Sequence, residues 1–302
     1  MRAVQFASFG PPGVVHVAEV PAPHPGPGEV RVAVRASGLS TGETRIRSGA
    51  LRDAVATRLP FRTGFDAAGV VDELGPGVTG TALGDEVFGW VAPASRGANA
   101  DHAVLVAWAP KPPSWSWAEA GGAAGPAETS TRVLDHLGLV RGQTILVHGA
   151  AGGVGSVATQ LAVARGATVI GTARAAAHAL LSSLGAIPTA YGPGLRDRVR
   201  ALAPGGVDAV LDCAGGTLPE LIAVAGAPSR VVTIADLTAA THGVLMSRPD
   251  PLAAHALPLA VDLAASGRLR IPIAARFPLT EAAAAHELSE TRHAPGRIVL
   301  MP

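Results

Sequence analysis

The chain has 302 residues, 48% of them hydrophobic, with 24 Lys and Arg set against 23 Asp and Glu for a net charge of +1. That length allows two domains with cores of their own, and scattered arginines at near-neutral charge argue against a nucleic-acid or membrane surface. Cys213 is the single cysteine, which excludes an internal disulfide and a cysteine-based structural zinc site.

No apolar run approaches the roughly 18 residues of a membrane span, and the start MRAVQFASFG lacks the apolar core of a secretory signal. The expectation is a cytoplasmic protein. From Arg2 to Val106, short strand-like runs (AVQF, VVHVAEV, VRVAVRASGL) are punctuated by proline and glycine too often for helices, which predicts an all-β module, a small barrel. The proline-rich bridge APKPPSWSW leads into WAEAGGAAGPAETSTRVLDHLGL, which has helical character. A domain boundary is therefore expected near residue 115.

The stretch Thr144 to Arg174, TILVHGAAGGVGSVATQLAVARGATVIGTAR, reads as strand, glycine-rich turn, helix and second strand in one unit. Thr144 to His148 has the apolar run of a buried parallel strand, and Val154, Val157, Ala158, Leu161 and Ala162 recur at helical spacing. The turn Ala150-Ala151-Gly152-Gly153-Val154-Gly155 matches the dinucleotide fingerprint, with Ala150 in place of the first glycine. Gly152 would let a pyrophosphate approach the backbone, Gly155 would let helix and strand pack closely, and the free N–H groups at the helix start, from Gly153 and Val154 onward, would face the anion. A carboxylate about 20 residues further on would bind a ribose 2′-hydroxyl, but no Asp or Glu occurs between Asp135 and Asp197. The second strand runs instead into Thr172 and Arg174, with His178 one helical turn beyond. A guanidinium there suits a 2′-phosphate and favours NADPH over NADH.

Further strands are expected at VDAVLD and RVVTIA, as a doubly wound parallel sheet of Rossmann type requires, and a last helix from Pro249 to Gly267. Then RLRIPIAARFPL reads as strand, EAAAAHELSE as helix and GRIVL as strand, a tail expected to fold back onto the first domain. The division is thus 1–115 completed by 268–302, and 116–267. Cys213 ends a buried strand with nothing basic beside it in sequence, so it reads as a small core residue.

The words VRVAVRASGLSTGETRIRSG, PFRTGFDAAGVVDELGPGV, GDEVFGW, GQTILVHGAAGGVG and HAPGRIVL, in this order over nearly the whole chain, resemble the medium-chain dehydrogenase/reductase superfamily and its zinc-independent quinone oxidoreductase branch. The resemblance implies an α/β protein with a GroES-like β-barrel catalytic domain and a Rossmann cofactor domain. Zinc alcohol dehydrogenases of that superfamily carry a cysteine and a histidine at the positions of Ser40 and Phe65. Neither residue here is their usual ligand, so no metal is expected. Quinone oxidoreductases usually have Asn-Pro-Val-Asp where this chain has Ser40-Thr41-Gly42-Glu43, and Ser40 and Thr41 are the candidates for polarising an acceptor.

By the same resemblance Tyr191 would contact the cofactor phosphate and ribose, Thr129 would lie near the nicotinamide amide, and Cys213, Ala214, Ile234 and Ala235 would border the nicotinamide ribose through backbone groups. Ala151 belongs to the same pyrophosphate turn. Enoyl-thioester reductases of the same superfamily often place a tyrosine acid in the Ser40 region, whereas Tyr191 is the only tyrosine here, which argues against that mechanism. Arg45 reads first as a surface arginine and otherwise as a partner for a negative substrate group, and Trp90 either walls a flat ring or packs within the barrel. The loops Ala92 to Asp101 and Thr238 to Pro251 are expected to shape the substrate pocket.

The function expected is reduction of quinones or α,β-unsaturated carbonyl compounds by NADPH. The alternatives are an enoyl reductase for a thioester or polyketide intermediate, and a protein that binds NADPH without turnover. The partners expected are a small-molecule substrate and, as in relatives, a second copy in a homodimer.

Overall fold

The computed structural model describes residues 1–91, 97–248 and 251–302. By its internal contacts the chain forms two units, Met1–Gly125 with Leu257–Pro302, and Pro126–Ala256.

The first unit begins with β1 (Arg2–Phe6), β2 (His16–Glu19), β3 (Val30–Leu39), α1 (Thr41–Arg47), β4 (Phe61–Arg62), β5 (Asp66–Leu74), β6 (Glu86–Val91), β7 (His102–Pro110) and α2 (Trp117–Gly121). In β3 the alternate residues Val30, Val32 and Val34 point inward, the period of a half-buried strand, and they meet Val71, Val87, Val91 and Leu105 in one core. Strand β3 pairs antiparallel with both β5 and β7, and β6 bridges those two, so the four close on themselves as a barrel. Helix α2 packs on β3 and β5, which is why the first unit reaches Gly125, beyond the boundary expected near residue 115.

The expectation of strands alone up to Val106 fails at α1. Ser40 is its N-cap and Glu43 its third residue, and each side chain satisfies the other's backbone N–H in a reciprocal capping box. The S-x-x-E signature was present in the sequence, and it outweighs the glycine at position 42.

In the second unit come α3 (Ala124–His136, its start belonging to the first unit), β8 (Thr144–His148), α4 (Gly153–Ala164), β9 (Thr168–Thr172), α5 (His178–Ser183), β10 (Ile187–Thr189), α6 (Leu195–Leu202), β11 (Ala209–Asp212), α7 (Leu218–Ala225), β12 (Val231–Thr233) and β13 (Leu245–Met246). The six strands form one parallel sheet in the order β10-β9-β8-β11-β12-β13. Ile145, Leu146 and Val147 are fully buried, as a central parallel strand covered on both faces requires. The chain runs outward from β8 in one direction and then resumes on its other side at β11. The order therefore reverses between β8 and β11, the position where open α/β sheets bind ligands beyond their C-terminal strand ends.

The tail consists of α8 (Ala256–Ala265), β14 (Ile273–Pro278), α9 (Ala282–Glu290) and β15 (Arg297–Met301). Helix α8 is shorter than the expected 249–267; Pro258 falls in its first turn, where a missing N–H is harmless, and 249–250 lie outside the described residues. Strand β15 pairs antiparallel with β3, Ile298 opposite Leu39, so the tail does return to the first unit. Ala282 and Ala285 of α9 join Val4, Leu39, Ile298 and Leu300 in a second core there.

Candidate functional site

Strand β8 ends at His148, and the chain turns at Gly149 with φ +78, a left-handed conformation natural to glycine. The Gly149 N–H donates to Thr172 Oγ1 at 3.0 Å and the Ala150 N–H to the Thr172 carbonyl at 3.0 Å, so the turn is tied to the end of β9. Helix α4 then starts from Gly152, an N-cap without a side-chain acceptor, and the first N–H bonded back to it is that of Ser156 at 3.0 Å. The N–H groups of Gly153, Val154 and Gly155 therefore stand at the positive end of a twelve-residue helix that caps none of them with a side chain.

The glycines of this turn differ in their surroundings. A Cβ at Gly155 would overlap the Gly149 carbonyl, so that glycine serves the packing of helix on turn. At Gly152 the nearest protein atom to an added Cβ is the Gly149 oxygen at 3.5 Å, an ordinary contact, and its φ of −76 suits any residue. Among the described residues no contact excludes a side chain there, so the turn leaves open space beside its backbone for a group from outside. That is the behaviour of a backbone cradle for an anion, and it fits the pyrophosphate of a dinucleotide.

The other candidates of the second unit gather at neighbouring strand ends. Thr172 is fully buried at the end of β9, followed by the exposed Arg174 and by His178, whose Nε2 lies 3.2 Å from the Ala173 carbonyl. Tyr191, 50% exposed, follows β10 in a loop that Arg198 of α6 fastens through the carbonyls of Ala190, Gly192 and Pro193 at 2.8–3.0 Å. Cys213 and Ala214 follow β11, and Ile234 and Ala235 follow β12, each half-buried. Thr129 sits half-buried on α3, where the neighbouring Ser130 hydroxyl donates to the Val154 carbonyl at 3.2 Å. Burial first, and then Asp212, push the Cys213 thiol up, so it stays protonated at neutral pH.

Polar residues that the sequence did not single out hold these ends together. His148 is buried, with Nδ1 2.9 Å from Thr172 Oγ1 and Nε2 3.4 Å from Thr217 Oγ1. Burial pushes its pKa below the usual imidazole range, against the opposing pull of Asp212 and Glu220. A second network joins Asp212, Thr233 and Asp236. In sequence these were strand ends; only sheet pairing makes them neighbours.

Ser40 and Thr41 lie in the other unit, at the start of α1. The Ser40 hydroxyl accepts the Glu43 N–H at 3.3 Å, which leaves its own proton free to donate; Thr41 is exposed. Glu43 is fully buried and accepts from the N–H groups of Ser40, at 2.6 Å, and Gly64. Burial raises its carboxyl to about 7; those hydrogen bonds and Arg297 oppose the rise and Asp66 adds to it. Trp90 donates its indole N–H to the Ala124 carbonyl at 3.1 Å. Of the loops expected to shape a substrate pocket, residues 92–96 and 249–250 lie outside the described residues.

Residues 26–125 match the family model of the alcohol dehydrogenase GroES-like domain, and residues 190–300 match that of a zinc-binding dehydrogenase. Over 100% of its length the chain is 30% identical to the chloroplastic quinone-oxidoreductase QR1 of Triphysaria versicolor, covering 98% of that protein. The chain belongs to the medium-chain dehydrogenase/reductase superfamily, as a quinone oxidoreductase-like member. Other relatives in this superfamily match it in part. The spectinabilin polyketide synthase system protein NorB of Streptomyces orinoci is 40% identical over 64% of this chain, and the quinone oxidoreductase of Rattus norvegicus is 35% identical over 57%. The alignment takes in 9% of the first protein and 53% of the second, so the chain spans about half the length of the mammalian relative. Among solved structures, the Escherichia coli quinone oxidoreductase complexed with NADPH superposes with a TM-score of 0.83 at 25% identity, covering 100% of both chains.

The superfamily's zinc can be tested against the donors present. At the two ligand positions Ser40 is engaged as a helix cap and Phe65 offers no donor, and among the described residues no three His, Cys, Asp or Glu side chains converge to hold a metal. This donor set does not fit zinc.

Proposed function

We propose that this medium-chain dehydrogenase/reductase is an NADPH-dependent oxidoreductase that reduces quinones or α,β-unsaturated carbonyl compounds by hydride transfer, without zinc. The observation that carries the reading is the α4 start. Its first N–H groups carry no side-chain cap and open space lies beside its N-cap glycine, next to a β9 end that presents Arg174 in a stretch without carboxylates between Asp135 and Asp197. The NADPH complex of the E. coli relative supports the cofactor, and the names of the plant and rat relatives support the acceptor class.

When bound, the nicotinamide supplies the hydride. The protein's part is position and charge. The α4 N–H groups with Ala151 and Gly152 would hold the pyrophosphate, Arg174 with His178 would hold the 2′-phosphate, and Tyr191 would contact the cofactor phosphate and ribose. Thr129, Cys213, Ala214, Ile234 and Ala235 orient the nicotinamide ribose and amide. Ser40 and Thr41 donate to the oxygen on which negative charge develops, a role that suits activated acceptors, which need no Lewis acid. In this reading the first unit is the catalytic domain, the second the cofactor domain, and the protein works in the cytoplasm. Pairing into a homodimer through the free sheet edge at β13, where Leu245 is 49% exposed, completes it; light scattering in solution checks the mass.

The 40% identity to part of a polyketide synthase protein favours a second reading, an enoyl reductase acting on a thioester. One assay separates them. NADPH oxidation is followed with quinones, simple enones and enoyl thioesters. The proposal expects turnover with the first two. Turnover confined to thioesters favours the second reading, and tight NADPH binding with no turnover in any arm contradicts both.

A further inference from the structure

The turns that follow β11 and β12 are cross-linked by a polar network that no part of the proposed chemistry uses. Asp212 and Thr233 are fully buried, each the last residue of its strand and opposite one another in the sheet. The Thr233 hydroxyl donates to Asp212 Oδ2 at 2.7 Å, and Asp212 Oδ1 accepts the N–H groups of Ala214 at 3.0 Å and Gly215 at 2.9 Å. Thr233 Oγ1 in turn accepts the N–H groups of Ala235 at 3.1 Å and Asp236 at 3.0 Å. Asp236 then reaches back across: Oδ2 accepts the Gly216 N–H at 2.8 Å, while Oδ1 accepts the Thr238 N–H at 2.9 Å and its hydroxyl at 2.7 Å.

Three side chains thus satisfy six backbone N–H groups in two separate turns. Each turn depends on the other, because Thr233 serves the second turn and Asp212, and Asp236 of the second turn serves Gly216 of the first. Gly215 and Gly216 take φ values of +74 and +84, so the first turn has an unusual path that the network must hold. Burial alone would raise the Asp236 carboxyl, but hydrogen bonds from Thr238 and Gly216 outweigh it and hold the group below the usual carboxylate range, where it stays an acceptor.

Fully satisfied buried networks specify one arrangement of the backbone, since any other leaves charged or polar groups orphaned in a dry setting. A network that served the sheet alone would sit between strands. This one starts at the last residues of two paired strands, just beside the reversal of strand order, and most of its acceptors point at the turns beyond them.

Resting on the cofactor reading above, we infer that Asp212, Thr233 and Asp236 are positioning residues for the nicotinamide half of the dinucleotide: they fix the backbone of 213–216 and 234–236 so that its groups meet the nicotinamide ribose. The adenosine half, held at the α4 start and Arg174, does not depend on them. The inference therefore predicts a split between the two halves of one ligand, which a general loss of stability does not produce.

The test compares NADPH with adenosine 2′,5′-bisphosphate, which carries the 2′-phosphate but no nicotinamide. Thr233→Val keeps the shape and removes the hydroxyl, leaving Asp212 Oδ2 and the N–H groups of Ala235 and Asp236 without their partner. The expected result is a Kd for NADPH raised roughly tenfold or more, a Kd for the bisphosphate changed less than about twofold, and recovery of NADPH affinity in Thr233→Ser. Asp236→Asn, at the rim of the network, serves as a second variant should Thr233→Val not fold, and is expected to show the same split to a smaller degree. Unchanged NADPH binding, equal loss of both ligands in a folded variant, or no recovery with serine overturns the inference. Wild-type protein that binds the bisphosphate and NADPH equally well overturns it while leaving the cofactor reading intact; wild-type protein that binds neither overturns both.

Discussion

At the scale of single residues the account turns on what each side chain, or its absence, leaves room for. Gly152→Ala is expected to leave the folded protein unchanged in stability to within about 1 kcal/mol, because the added Cβ meets only the Gly149 oxygen at 3.5 Å, while NADPH affinity falls at least about tenfold. Gly155→Ala is expected to do the opposite first, lowering the melting temperature because its Cβ overlaps a backbone carbonyl. Thermal melts and NADPH titrations of the two variants check the contrast; equal effects would remove the cradle argument. Arg174→Ala is expected to weaken NADPH about 10- to 100-fold and NADH hardly at all, the loss of a charge-assisted pair to the 2′-phosphate. Equal loss for both cofactors would move the phosphate site elsewhere.

The strand, turn and helix that carry these residues, whose roles are proposals, were legible in sequence because the pattern is local, all three lying within a few residues of one another. His148, Asp212 and Thr233 were not. His148 meets Thr172 and Thr217, 24 and 69 residues away, and Asp212 meets Thr233, 21 residues away, through the lateral pairing of β9, β8, β11 and β12, which hydrophobic pattern does not specify at the level of a hydroxyl.

At the scale of elements, α1 shows how a short helix is held at both ends by buried charge. Its start is the Ser40–Glu43 capping box, and at its end Arg47, 1% exposed, donates to the Gly10 carbonyl and pairs with Glu290 of α9. Beside Arg47 is His286, fully buried with both ring nitrogens unpartnered; burial and then the Arg47 charge lower its pKa to about 4. The folded protein thus refuses a proton that the unfolded chain binds between about pH 4 and 6.5, so this group makes stability fall as pH falls through that window. Glu43 acts in the other direction. Its carboxyl, raised from 4.5 to about 7, keeps in the folded state a proton that the unfolded chain has released, so its contribution is lost as pH rises from about 4.5 to 7.

In the wild type the two slopes offset each other over the shared range. The expected outcome is that His286→Leu exposes a decline in urea midpoint as pH rises from about 5 to 7, whereas Glu43→Gln exposes a decline as pH falls through the same range. Parallel profiles for wild type and both variants would contradict the account of α1. The helix itself was missed because glycine and proline density, a sound guide to the strands around it, says nothing of a capping box from Ser40 to Glu43.

At the scale of the whole molecule, the return of the tail was legible because Gly267 ends the helical pattern and strand character resumes after it. What it returns to follows from pairing: β15 lies beside β3, directly before Ser40, so the last strand supports the segment proposed to polarise the acceptor. The acceptor itself was not legible, because no local pattern encodes the shape of a pocket. The donor set that fails to fit zinc leads to a further expectation, that exhaustive treatment with a chelator leaves turnover within about twofold of the untreated rate. A large loss, restored by added zinc, would contradict the zinc-independent reading.

The central claim joins cofactor and chemistry in one quantity, the ratio of kcat/KM for NADPH to that for NADH with a simple quinone as acceptor. A guanidinium in place of the usual carboxylate predicts turnover with both and a preference for NADPH of about tenfold or more. A preference for NADH, or binding of NADPH with no oxidation by any quinone or enone, would contradict it.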